Sequence, residues 1–303
     1  MQNQGGRNTV VDQTRESSAT EGQTAAEGLV TLPRTEQRIM RSRAENREYR
    51  IFVAKPDVEP PPSGYPVIYL LDANSVFGTM AEAIRLQSRR PEKTGVVPAV
   101  IVGIGYDTEG PFSNARYYDF TMPVPAAELP QSPRGTEWPE LGGADAFLNF
   151  IEEDLKPEIE REFSIDRGSQ TIFGHSLGGL FVLHALFTRP GTFQAYVAGS
   201  PSIHWGKRIL LEEERQFASR LEKEPRSVGV LLAVGEHEKH HHSHMNDNAK
   251  ELAGRLSALA SRGVRVKFHE FEGEGHVSVL PVLISRALRF ASEGDQQLEV
   301  GRP

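Results

Sequence analysis

The sequence predicts an α/β fold: a mostly parallel central sheet with helices on both faces, in a single domain over residues 35–293. Three observations carry that prediction. Short runs of β-branched and aliphatic residues recur along the chain, separated by stretches of helical length, the alternation a doubly covered parallel sheet requires. Several runs are apolar throughout ("AVIVGIGY", 99–106; "VGVLLAVG", 228–235), as strands buried on both faces must be. One of them, "TIFGH", passes through Gly174-His175-Ser176-Leu177-Gly178 into "LGGLFVLHALF", a strand–turn–helix around one serine.

The elements follow in order. "REYRIFVAKP" (47–56) alternates like a strand and stops at a proline, and "EPPPSGYP" (59–66) is a turn by its Pro and Gly content. "VIYLL" (67–71) is a strand, followed by "DANS" and a helix through "FGTMAEAIRLQSRR". After the run at 99–106, residues 107–142 show no sustained period, and so long an irregular segment inside a domain is usually functional. In 143–163, Phe147, Ile151, Leu155 and Ile159 fall four apart, one stripe of an amphipathic helix. The helix after Ser176 is apolar nearly all round and therefore buried. "AYVAGS" (195–200) and "VGVLLAVG" are further strands, "NAKELAGRLSALASRG" (248–263) is a helix with a glycine stop, "VRVKFHEF" (264–271) a strand and "VLPVLISRALRFA" the closing helix.

Composition sets bounds. With 303 residues, 38% hydrophobic and 25% charged, the chain has room for a sizeable core. A net charge of −7 argues against a nucleic-acid partner, which selects a basic surface. The absence of cysteine excludes disulfides, thiolate metal sites and a cysteine nucleophile. No apolar run reaches the ~18 residues that suggest a membrane span. Residues 1–34 are polar and are expected as a disordered tail, and 294–303 as a short polar one. The N-terminus has no apolar stretch of the secretory type, so a cytoplasmic location is expected, or a periplasmic one where a leader has been removed.

Around Ser176 the chemistry is that of an activated hydroxyl. Glycines at 174 and 178 are read as positions where the sharp turn brings backbone too close for a side chain. An acid and then a histidine should follow the serine. Of the ten histidines, His276 in "FEGEGHVSVL" follows the last strand in a glycine-flanked loop, where a base reaches the carboxyl edge of a parallel sheet. The acid should lie just past "VGVLLAVG", where Glu236, Glu238 and Asp247 stand; Glu238 is favoured, with the role of holding the imidazole tautomer. Oxyanion donors are expected from the N–H of Leu177 and, in "YLLDANSVFG", of Ala73 or Asn74. Arg116, Trp205 and His175 are assigned to substrate contact. Arg116 would grip an anionic or catecholate group or else pair with Asp119 or carbonyls, and Trp205 would wall a substrate ring or else pack in the core. "HEKHHHSHM" (237–245) lacks the spacing of a metal site and reads as a solvated loop, so no metal ligand is assigned.

Taken in order, "YLLDANSVFG", "NARYYDFT", "GHSLGGLF", "SPSIHW", "AVGEHE" and "EFEGEGHVSVLP" resemble the esterase-D-like group of α/β-hydrolases. Within it the chain is similar to bacterial siderophore esterases, which open ester bonds of trilactone ferric chelators such as enterobactin and its glucosylated relatives. The resemblance implies an α/β-hydrolase with Ser176 as nucleophile, His276 as base and Glu238 as acid, or a Ser–His dyad with Glu238 in a lesser role. It implies a serine esterase with no cofactor, iron arriving only within a small-molecule ester substrate. A general carboxylesterase, acyl transfer to an alcohol and ligand binding by an inactive site are the alternatives.

Overall fold

The computed structural model describes residues 30–129, 132 and 137–300. The chain divides into residues 1–31 and 32–303, and the second unit carries everything below. The tail expected over residues 1–34 lies for the most part outside the described residues.

In chain order the elements are β1 (Thr35–Arg41), β2 (Glu48–Ala54), β3 (Tyr65–Leu70), α1 (Ala73–Gln87), α2 (Pro91–Thr94), β4 (Val100–Gly105) and α3 (Arg116–Phe120). Then come α4 (Ala144–Phe150), α5 (Lys156–Glu162), β5 (Ile165–His175), α6 (Leu177–Thr188), β6 (Ala195–Gly199) and α7 (Lys207–Lys223). The chain closes with β7 (Val228–Gly235), α8 (Met245–Ser257), β8 (Val264–Phe271) and α9 (Val279–Val300). The last helix continues through 294–300, where the sequence suggests a tail.

Among the described residues the strands form one sheet in the order β1-β2-β4-β3-β5-β6-β7-β8. β1 and β2 run antiparallel at one edge, and every pairing from β4 through to β8 is parallel. The expected mostly parallel α/β architecture is therefore present. Alternation along single strands divides the core: Val67 and Tyr69 point into one layer, Ile68 and Leu70 into the other. α1 and α9 cover the second layer, whereas α4, α6, α7 and α8 pack on the first. Every residue of β4, β6 and β7 is buried, which is why these strands read as unbroken apolar runs.

Three features depart from the sequence reading. β1, with only Ile39 and Met40 as large apolar residues, is an edge strand whose burial comes from one neighbour. α7 was not foreseen, although Leu210, Phe217 and Leu221 form its buried stripe; charged residues hide the period, and even Glu214 on that stripe is buried because Arg255 pairs with it. The helix expected over 143–163 is interrupted by a π turn, Ile151–Leu155. Pro157 comes after Lys156, and a proline there has no N–H for the ladder and crowds the carbonyl four residues back, so the helix widens at that point.

Candidate active site

Because β3, β5, β6 and β7 are parallel neighbours, their carboxyl ends open on one edge of the sheet. Ser176 stands at that edge between β5 and α6 with φ 60° and ψ −117°, a region costly for a residue with a Cβ. The strain is held by backbone: the Ser176 N–H donates to Gly199 O at 2.9 Å, and Ser176 O accepts from Leu180 at 3.0 Å and Ser202 at 3.1 Å. Gly174 is required as expected, since a Cβ there would overlap the Gly178 carbonyl. Gly178 is different, because its Cβ would meet Asp72 Oδ2 at an ordinary 3.5 Å. The second tight position is Gly179, where a Cβ would stand 2.8 Å from Gly199 O.

Residues 100 apart in sequence meet at the serine: His276 Nε2 lies 3.1 Å from Ser176 Oγ. The other ring nitrogen, Nδ1, lies 2.9 Å from Glu238 Oε2. Glu238 is 4% exposed, and its remaining oxygen Oε1 accepts from Ser200 Oγ at 2.6 Å and from the Gly235 N–H at 2.7 Å. Burial pushes the Glu238 carboxyl up, but the hydrogen bonds from His276, Ser200 and Gly235 outweigh it and leave the group below its ordinary value. It stays an acceptor for the imidazole. The competing acids are elsewhere: Glu236 accepts from the exposed Gly273 N–H, and Asp247 is an exposed partner of His244 at 3.8 Å. A hydroxyl, an imidazole and a buried carboxylate in this order can move the serine proton to Nε2 while the carboxylate stabilises the imidazolium.

Leu177 begins α6, and Ala73 and Asn74 begin α1, directly after the paired strands β5 and β3. The first N–H groups of a helix have no partner within it, so two sets of free donors flank Ser176. The Asn74 side chain serves the loop: Nδ2 donates to Tyr106 O and Thr108 O, both at 3.0 Å, and Oδ1 accepts the Tyr106 N–H at 2.8 Å.

The three residues assigned to substrate contact are otherwise engaged. Arg116 is 8% exposed, and its Nε and Nη2 donate to Asp72 Oδ1 and Oδ2 at 2.9 and 2.8 Å. The fork expected for substrate or Asp119 is thus filled by Asp72, while Asp119 is bound by Tyr106 at 2.8 Å and Tyr49 at 3.1 Å. Trp205 is 4% exposed under Trp138, with ring centroids 4.5 Å apart, so it packs in the core rather than walling the site. His175 is buried with its ring 4.6 Å from that of His276. Burial and the neighbouring His276 push its pKa down to about 3, making it a neutral support for His276.

Sequence reasoning missed Asp72, Ser200 and Ser202, whose Oγ lies 3.4 Å from Ser176 Oγ. Their signal was position: Asp72 and Ser200 are the first polar residues beyond β3 and β6 at the edge that carries Ser176. In the histidine-rich loop, the rings of His241 and His242 lie 4.2 Å apart and tilted by 36°, and among the described residues no three His, Asp or Glu side chains converge as a metal-ligand set. Part of the irregular segment at 107–142, residues 130, 131 and 133–136, lies outside the described residues. Among the described residues no helix is long and apolar enough to cross a membrane.

Known proteins share this arrangement of elements. A model of the Esterase family matches residues 42–280. Ferri-bacillibactin esterase BesA of Bacillus subtilis is 64% identical over 265 residues, 88% of this chain and 92% of that protein. The siderophore enterobactin esterase of Emericella nidulans is 37% identical over 250 residues, 74% of this chain and 81% of that one. The crystal structure of the BES protein from Bacillus cereus superposes with a TM-score of 0.82 at 47% identity, covering 88% of this chain and 99% of that one. The chain belongs to the Esterase family and is a serine carboxylic-ester hydrolase of the α/β-hydrolase fold.

Proposed function

We propose that this esterase opens the ester bonds of a trilactone siderophore in its ferric form, with Ser176 as nucleophile, His276 as general base and Glu238 as the acid. The observation that carries the assignment is His276 bridging Ser176 Oγ at 3.1 Å and Glu238 Oε2 at 2.9 Å. His276 Nε2 takes the Ser176 proton as Oγ attacks the ester carbonyl. Charge on the carbonyl oxygen is met by the N–H of Leu177 and of Ala73 or Asn74. The imidazolium returns the proton to the leaving alkoxide, and the acyl-enzyme is then cleaved by a water that His276 deprotonates. In a trilactone the leaving alcohol stays tethered to the acyl group, so the first turnover linearises the ring. The substrate reading is supported by the names of two relatives, both siderophore esterases, at 64% and 37% identity.

The test is product analysis after incubating the enzyme with a ferric trilactone siderophore and, separately, a short p-nitrophenyl ester, beside Ser176→Ala. Linear fragments that vanish in the variant support the whole reading. Cleavage of the simple ester alone keeps the three residues and removes the siderophore. Transfer of acyl groups to added alcohol in preference to water marks an acyltransferase, and tight binding with no turnover marks an inactive binding module.

A further inference from the structure

We propose that His204, His241 and His242 form an imidazole port beside His276 that binds an anionic substrate and takes up protons from solvent as it does so. The inference rests on the reading of the substrate as a ferric siderophore, and it assigns the groups that meet its charge.

Three doubly deprotonated catechols around one Fe(III) make a trianion, and the chain carries a net charge of −7. The field of the whole protein opposes such a ligand, so local cations have to receive it. Arg116 is buried and already neutralised by Asp72.

The sheet supplies a different set. β6, β7 and β8 are parallel neighbours, so the loops that leave them open on the edge that carries Ser176. The first loop carries His204, two residues beyond Ser202, whose Oγ lies 3.4 Å from Ser176 Oγ. The second carries His241 and His242, with ring centroids 4.2 Å apart, and the His241 N–H donates to Glu238 O at 3.1 Å. The third carries His276. The second and third are joined where the His237 N–H donates to Glu274 O at 2.9 Å.

His204 lies within electrostatic reach of His241, His242 and His276, and His241 within reach of His242, His276 and the Glu238 carboxylate. Glu238 is already shared by His276, Ser200 and Gly235. The remaining charges of the second loop are met elsewhere: Lys239 by Glu270 at 2.8 Å, and His244 by Asp247 at 3.8 Å. His237 and His240 are exposed. Burial and the neighbouring imidazoles push His204 down to about 4 and hold His241 below its ordinary value. His204 Nδ1 is buried and meets no hydrogen-bond partner among the described residues, so nothing in the free enzyme uses it. Ser243 Oγ, which donates or accepts, lies 2.5 Å from His241 Nδ1 and serves that ring in either protonation state.

His204 and His241 are therefore largely neutral at pH 7 in the free enzyme. An anion placed beside them favours the charged form and reverses this. Binding then draws protons from solvent, and product release returns them. A permanent cation at this point would oppose the imidazolium that forms on His276 in the transition state, whereas these rings gain charge only where an anion cancels it.

The test is titration calorimetry on Ser176→Ala, between about pH 6 and about pH 8 in buffers of different ionisation enthalpy, which counts the protons taken up. The ligands are a ferric tricatecholate trilactone and the same trilactone with its catechols methylated, which is uncharged throughout. The ferric complex should bind about 10-fold more tightly for each pH unit lowered, with about one proton taken up per molecule bound. The methylated ligand should bind without uptake. Adding His204→Gln, His241→Gln and His242→Gln together should abolish the uptake. Affinity for the ferric complex at about pH 6 should then fall to that of the intact port at about pH 8. If that combination does not fold, His241→Gln/His242→Gln, on the exposed loop, carries the measurement, with the uptake roughly halved. A Kd for the ferric complex that is independent of pH overturns the port. So does a slope that survives the substitutions, which would assign the proton to His276, and so does an equal slope for the methylated ligand. Binding of neither ligand, with no linear fragments from wild type, sinks the siderophore reading and the port with it. Linear fragments from wild type beside a pH-independent Kd remove the port alone, so the two failures are distinguishable.

Discussion

Ser200 donates its hydroxyl to Glu238 Oε1 at 2.6 Å and so fixes the carboxylate whose other oxygen meets His276. Ser200 itself has φ 39°, and its N–H donates to Ala233 O at 2.6 Å, tying the contact to the end of β7. One strand thus holds the acid in place from its neighbour.

Glu238→Gln should reduce kcat by about 10²–10⁴-fold, because an amide can present N–H to His276 Nδ1 and favour the wrong tautomer. Ser200→Ala should cost about 10-fold, as one of two donors to Oε1 is lost. The Ser200 hydrogen bond holds the Glu238 carboxyl down, so its removal raises that pKa. The carboxyl resonance of Glu238, followed by carbon-13 NMR, should therefore titrate at higher pH in Ser200→Ala than in wild type. A midpoint that stays put or moves lower refutes this account of Ser200.

Gly179→Ala should destabilise by about 1–3 kcal/mol, the usual cost of overpacking, because its Cβ would stand 2.8 Å from Gly199 O and 3.0 Å from Pro201 Cα. Gly178→Ala should be neutral or slightly stabilising, since its nearest neighbour is at 3.5 Å and alanine is the better helix former. Urea unfolding of the two variants decides it. Equal destabilisation would mean that the motif's second glycine is needed for space after all.

His184, 2% exposed, sits between Glu213 at 2.9 Å and Asp145 at 3.4 Å. Burial pulls its pKa down, but the two carboxylates outweigh burial and raise it from 6.5 to about 9. The folded state therefore binds the proton more tightly than the unfolded chain. This stabilisation is complete below pH ~6.5 and is lost as pH rises through about 9. Wild type should lose about 1–3 kcal/mol of unfolding free energy across that window through this group, and His184→Gln should lack that component. Parallel pH profiles for the two proteins would contradict the prediction.

Burial raises the Asp119 carboxyl to about 7 against the opposing hydrogen bonds of Tyr106 and Tyr49. A raised folded pKa means that its contribution to stability is present at low pH and disappears as pH passes about 7. Tyr106→Phe takes away the shorter of the two hydrogen bonds, at 2.8 Å, and should cost about 1–3 kcal/mol above that pH and less near pH 5. A loss independent of pH would assign the role to packing of the Tyr106 ring.

Where local chemistry decides, the sequence was readable. The run 264–271 is β8 to the residue, because Val264, Val266 and Phe268 alternate with Arg265, Lys267 and His269 at the strand's period of two. Ser176 was legible because a strained turn between strand and helix demands glycine at 174, whatever the rest of the chain does. That His276 would meet Ser176 was legible because the loop after the last strand opens on the same edge of the sheet. The choice of Glu238 over Glu236 and Asp247 was a preference, and a 3₁₀ turn at Glu236–His240 settled which side chain faces inward.

By itself, then, the sequence determined the alternating α/β architecture and the sharp turn at Ser176, since each depends on burial period or backbone space within a few residues. Only the tertiary structure decided that Arg116 belongs to Asp72, that Ser200 holds Glu238, that Trp205 lies in the core and that Gly179 rather than Gly178 is crowded. The Arg116–Asp72 and Ser200–Glu238 pairs join residues 44 and 38 positions apart, through strand order and register. No periodicity along the chain encodes which carboxylate a buried arginine will meet once the strands have been laid side by side.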